Sequence, residues 1–136
     1  MKPSYIVIGI VIAVVVLGGI FLFQSDNNSQ TPSLGMVTYT DEGYSPKELM
    51  VKKGDNVTFN NESSHPMWTA SAVHPTHTVY PGSSILKCNT PEAGAIFDAC
   101  SAVEPGKEWS FQFDQIGSWK YHDHLTPTRT GTITVE

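Results

Sequence analysis

Five histidines offer this chain its clearest chemistry: His65, His74, His77, His122 and His124. A neutral imidazole is both a proton-transfer group and the commonest metal ligand. A lone histidine is ordinarily a surface or core residue, but these five are grouped. His122 and His124 stand two apart in a segment with strand character, so they share one face and can grip one ion. His74-Pro75-Thr76-His77 sets two more imidazoles on a proline-constrained turn. An all-imidazole donor set suits copper or zinc. Asp123, between the paired histidines, reads as an orienting carboxylate or a buried polar residue rather than a direct ligand. Ser63 and Ser64 beside His65 offer a nucleophile and a base, but no third group or oxyanion donor accompanies them, which argues against hydrolase chemistry.

Cys88 and Cys100 are the only cysteines, 12 positions apart and outside any Cys-x-x-Cys motif. Outside the cytoplasm they are expected to form a disulfide. The alternative, that one of them is a thiolate ligand, predicts an intensely blue copper protein.

The elements that must position these groups read as short strands. Val57 and Phe59 alternate with Asn56, Thr58 and Asn60. Trp109, Phe111 and Phe113 alternate with Ser110 and Gln112, and Ile133 and Val135 with Thr132 and Thr134. Period-two alternation marks strands with one buried face. Turn residues separate them at Gly43–Pro46, Lys53–Asp55, Pro105–Lys107 and Gln115–Ser118. The sum is an all-β antiparallel sandwich. Within the last strand pattern, Trp119, Tyr121 and Asp123 fall on the core face, and Lys120, His122 and His124 on the other. A middle segment folding over that outer face would bring His74 and His77 to the pair. Met67, Trp68 and Trp109 read as core or pocket wall, and Arg129 as a surface or pocket-closing residue.

Ahead of the sandwich, Tyr5–Phe23 is a run of 19 uncharged residues, mostly Ile and Val. As a helix it is about 28 Å long, close to the ~30 Å hydrocarbon core of a bilayer. No small-x-small cleavage site follows it, so an uncleaved transmembrane anchor is expected. Lys2 precedes the run and Asp26 is the first charge after it, which puts residues 1–4 in the cytoplasm and the domain outside, periplasmic or at the cell surface. Gln24–Gly35 reads as a flexible tether, and Met36–Glu136 as the folded domain. The 136 residues carry a net charge of -5 with no Lys/Arg cluster, which excludes nucleic acid as a natural partner.

The run from Tyr44 through Lys47, Val51, Gly54 and Val57 to Phe59 resembles the opening strands of cupredoxins, the plastocyanin-like copper proteins. The ending, Gly117–Tyr121 and on to Gly131–Ile133, is similar to their last two strands. The resemblance implies a Greek-key sandwich and favours copper over zinc. It places His65, after the strand that ends in Asn60, at the first family ligand. Setting Gly131 in its family place puts Asp123 at the cysteine, Thr126 at the second histidine and Arg129 at the methionine. Three of the four ligands are therefore replaced, and blue-copper electron transfer is not implied, because that chemistry needs the thiolate. The His122-x-His124 pair is also similar to a motif of multicopper oxidases, whose trinuclear cluster needs eight histidines against the five present. In the old pocket, His65 is left either to pair with Asp123 or to join the other four.

The function implied is extracytoplasmic copper handling or sensing at a histidine-rich, non-blue site, without catalysis and with a copper-transfer protein as partner. Two other readings stay open. One is a redox protein, an electron carrier with a redox partner or a small copper oxidoreductase. The other is an interaction domain that has lost its metal.

Overall fold

The computed structural model describes residues 34–136, and the anchor expected over Tyr5–Phe23 and most of the tether lie outside them. Among the described residues no helix is long and apolar enough to cross a membrane. The first strand begins at Leu34, two residues before the expected domain start. Leu34 and Gly35 align with Asn56 and Val57 of a neighbouring strand, and this pairing draws them into the sheet.

Among the described residues, eight strands form two four-stranded sheets. They are β1 (Leu34–Thr40), β2 (Gly43–Ser45), β3 (Glu48–Val51), β4 (Asn56–Asn61), β5 (Thr69–Ser71), β6 (Glu108–Gln112), β7 (Gly117–Asp123) and β8 (Thr126–Val135). One sheet runs β2-β1-β4-β6 and the other β3-β8-β7-β5. The expectation of a wholly antiparallel sandwich needs correction: β1 lies parallel to β4 and β3 parallel to β8. Between β1 and β4 the chain crosses to the second sheet for β3 and returns, so β4 re-enters beside β1 in the same direction. The turn expected at Gly43–Pro46 is in part strand β2, and the reversal falls at Asp41 and Glu42 instead.

The alternating residues do face inward. Val57, Phe59, Phe111, Phe113, Tyr121, Ile133 and Val135 are all buried in one core, with Val37, Tyr39 and Tyr44 from β1 and β2. The middle segment is pinned to this core by two aromatic side chains, Tyr80 and Phe97. The Phe97 ring lies 4.8 Å from that of Phe113, 5.3 Å from Phe111 and 5.9 Å from Tyr121. Such edge and stacked pairs each add about 0.5–1.5 kcal/mol beyond area burial. The backbone around Phe97 also extends the edge of β5: Ser71 N–H donates to Phe97 O, and Ala99 N–H to Thr69 O. A disulfide joins Cys88 to Cys100, with Cα atoms 5.3 Å apart. By chain entropy a loop of this size contributes about 3 kcal/mol.

Candidate metal centre

Four of the five histidines meet on the outer face of the second sheet. Tyr121 points into the core, so its neighbour His122 points out of it, paired across the ladder with Ala70 of β5 and Thr130 of β8. His124 is not on the strand, as its spacing implied. The ladder is irregular after His122, where Asp123 aligns with Thr126, and His124 sits in the turn that follows β7. Its N–H donates to Trp68 O, and its ring packs 4.6 Å from the Trp68 ring. The segment after β5 folds over this face. His77 N–H closes back onto Val73 O, with His77 in the left-handed region at φ 58°, and Tyr80 anchors the far end of the loop in the core. A non-glycine residue held there costs about 1–2 kcal/mol, which the surrounding packing must offset.

All six ring-to-ring distances among His74, His77, His122 and His124 fall between 4.9 and 6.5 Å. One ring nitrogen from each can be chosen so that all four lie within 4.8 Å of one another. Metal–nitrogen bonds of about 2 Å set donor nitrogens roughly 3–4 Å apart. Contraction by about 1 Å therefore closes the four around one ion.

The hydrogen bonds select the donor atoms. Asp98, fully buried, accepts from His77 Nδ1 at 2.5 Å, from Trp68 Nε1 at 2.7 Å and from the Cys100 N–H at 2.8 Å. Burial alone raises the Asp98 carboxyl, but these hydrogen bonds outweigh it and hold the group below the ordinary carboxylate range. An ionised carboxylate can only accept, so the His77 proton sits on Nδ1 and the Nε2 lone pair faces the cluster. His77 Nε2 lies 3.0 Å from His124 Nδ1. Without metal, the His124 N–H bridges that gap. If His124 gave Nδ1 to a metal, its proton would sit on Nε2.

His122 supplies the sharpest test of fit. It is buried, yet among the described residues neither of its ring nitrogens has a hydrogen-bond partner. A buried polar group left this way costs about 1–3 kcal/mol unless something else satisfies it. Burial first, and then the neighbouring His77, His74 and His124, push its pKa down to about 4, against a weaker opposing pull from Asp123. The same causes lower His124. These imidazoles are thus neutral lone-pair donors near pH 7, the form a metal requires. His74 is exposed and closes the cluster on the solvent side.

The remaining sequence candidates lie elsewhere. His65 is outside the cluster. It is exposed, with Nδ1 2.9 Å from Ser64 Oγ and 3.3 Å from Asp41. It does not pair with Asp123, whose carboxylate is fully buried and accepts from Tyr39 Oη at 2.5 Å, Trp68 N–H at 2.9 Å and Leu125 N–H at 3.1 Å. The Tyr39 hydroxyl in turn accepts from Arg129 at 2.6 Å. Asp123 and Arg129 are thus linked through Tyr39 in one hydrogen-bond chain. Asp123 makes none of these bonds to a clustered histidine, and the orienting carboxylate is Asp98. The sequence held no local signal for Asp98: it is 21 positions from His77 and follows an apolar pair. Neither cysteine is a free thiolate, since both are in the disulfide.

No protein-family model matches this sequence, and no curated protein matches it. Solved structures do. A purple cupredoxin from Nitrosopumilus maritimus superposes with a TM-score of 0.57 at 20% identity, covering 75% of this chain and 99% of its own. A reduced variant of amicyanin superposes at 0.60 and 20% identity, covering 79% and 87%. Another amicyanin variant, in its Cu(I) form, gives the same four values. At this identity the likeness is one of fold: the described domain is a divergent cupredoxin-like sandwich.

Proposed function

We propose that this protein binds copper at a non-blue centre made of His74, His77, His122 and His124, for copper handling or sensing outside the cytoplasm. The observation that carries the reading is the pairing of two features in one cluster: a carboxylate that fixes the His77 tautomer, and a buried His122 ring with no protein partner. The histidine cluster and the cupredoxin-like fold fit a copper-binding or redox protein. Copper is preferred to zinc because the amicyanin variant named above in its Cu(I) form shares the fold. When bound, copper supplies a Cu(II)/Cu(I) couple or a Lewis acid. His77 and His122 would hold it through ring nitrogens, with Asp98 orienting His77 and Trp68 packed on the His124 side. A single-pass anchor at Tyr5–Phe23, with the domain on the outer side, belongs to the same proposal and is supported by the disulfide, which persists in oxidising compartments.

Cu(II) titration of the full chain tests the reading. Bound copper should give a weakly coloured type 2 electron paramagnetic resonance spectrum that is lost in His77→Ala and His122→Ala. An intense blue band, or no binding at micromolar copper, refutes it. A redox role on the same centre is the second reading. The exposed edge at His74 favours it, because an electron partner must approach the ion from solvent. It predicts reversible cycling between Cu(II) and Cu(I) with all four histidines retained.

A further inference from the structure

A cleft of about 400 Å³ lies along the outer face of the second sheet and ends on the histidine cluster. That volume is within the range of small-molecule sites, roughly 300–1,000 Å³. His74 and His122 form part of its lining, Lys47 and Lys120 stand on its walls, and Ala72, Val73 and Pro127 give it an apolar side. Glu48 is its single carboxylate. Lys120 and His122 share the cleft because both alternate outward from Tyr121 on β7, and Lys47 joins them because β3 runs beside β8.

Three features point to one ligand chemistry. Among the described residues neither Lys47 nor Lys120 makes an ion pair, in a chain whose net charge is -5. Unpaired cations beside low-dielectric walls concentrate anions. Val73, 56% exposed at the cleft, offers apolar surface that water alone covers poorly. His74 adds the third feature: it is exposed where the cleft meets the cluster, so a ligand in the cleft can reach its imidazole.

We propose that the cleft binds a metabolite-sized carboxylate, with its apolar body along Val73 and Pro127 and its anionic end between the lysines and the His74/His122 edge. The ligand would thereby sit beside the metal centre, so the proposal rests in part on that centre and deepens it: the histidine site becomes one that a small molecule can reach and report on. The lysines set the preference for anions, and the apolar wall favours benzoate over acetate.

The test uses benzoate and acetate at constant ionic strength, on the full chain with and without one equivalent of Cu(II). In the metal-free chain, benzoate should shift the amide resonances of Lys120, His122 and Thr130 saturably, and acetate should bind at least threefold more weakly. With copper bound, benzoate should perturb its electron paramagnetic resonance spectrum over the same concentration range. The Lys47→Met/Lys120→Met double variant, in which both replaced side chains are exposed, should weaken benzoate binding about tenfold or more. Absence of amide shifts, or equal binding by the double variant, overturns the proposal whether or not copper binds. A spectrum of aqueous copper throughout, with the amide shifts intact, fails the metal reading and leaves the cleft standing. A protein-bound copper spectrum that benzoate leaves unchanged, with the shifts again intact, rejects placement beside the metal.

Discussion

Acid should destabilise the metal-free protein through His122, and the size of the effect follows from its surroundings. An unfolded histidine titrates near 6.5, whereas burial and three neighbouring imidazoles hold His122 at about 4. Between those values the unfolded chain binds a proton that the folded chain refuses. Stability therefore rises with pH across this window: the contribution is fully present above about 6.5 and is lost as pH falls toward 4. At 1.36 kcal/mol per unit, the shift amounts to roughly 3 kcal/mol. For a domain near 100 residues that is a fall in Tm of roughly 12–20 °C. His124, also lowered, pulls in the same direction. The Asp98 shift contributes below the ordinary carboxylate range, largely outside this window. The assay is urea and thermal unfolding of the chelator-treated full chain at pH 7, 6, 5 and 4.5, beside His122→Asn. The slope with pH, rather than the absolute stability, carries the information, because the substitution alters packing as well. Wild type should lose stability on acidification much more steeply than the variant, and bound copper should flatten the wild-type slope down to about pH 5 by holding the imidazoles deprotonated. Equal slopes in wild type and variant, or a wild type that gains stability on acidification, would refute the reasoning.

Asp98→Asn keeps the shape of the side chain and removes the charge that fixes the His77 tautomer. Copper affinity measured against a chromophoric chelator should fall by about 10–100-fold, as for other residues that orient metal-binding histidines. Cys88→Ser/Cys100→Ser should lower unfolding free energy in urea by about 3 kcal/mol. It should also weaken copper binding, because the Cys100 N–H is one of the three donors on Asp98. His65→Ala should leave copper affinity unchanged and stability within about 0.5 kcal/mol, since exposed ion pairs contribute little. A loss of bound copper in that variant would return His65 to the site.

The sandwich was legible because its strands alternate cleanly: Val57 and Phe59, Phe111 and Phe113, and Ile133 and Val135 each declare a face. The outward face of His122 was legible from the same alternation, counted from Tyr121. What alternation does not carry is the course of a chain that leaves the ladder. His124 reads as strand by spacing, but it lies in the turn beyond the irregularity that follows His122, where the ladder register no longer governs direction. The parallel pairings were hidden for a related reason: they follow from where the chain crosses between sheets, and no local pattern records that. Asp98 was invisible because its position is set by Phe97. That ring is buried in the core, and the next residue is turned toward the histidines.

The same geometry couples the core to the histidine cluster. Asp123 puts a carboxyl group in a fully buried place, where a polar group without partners is costly. The Tyr39 hydroxyl, the amides of Trp68 and Leu125, and Arg129 beyond Tyr39 satisfy it with hydrogen bonds. Trp68 then links this network to the histidine cluster: its amide serves Asp123 while its indole N–H serves Asp98. Asp98 and Asp123 therefore hold the two ends of one residue, and the orientation of His77 depends on a contact made on the far side of β5. An Asp123→Ala change, which removes no hydrogen bond to a clustered histidine, should disturb the copper spectrum through Trp68 and Asp98.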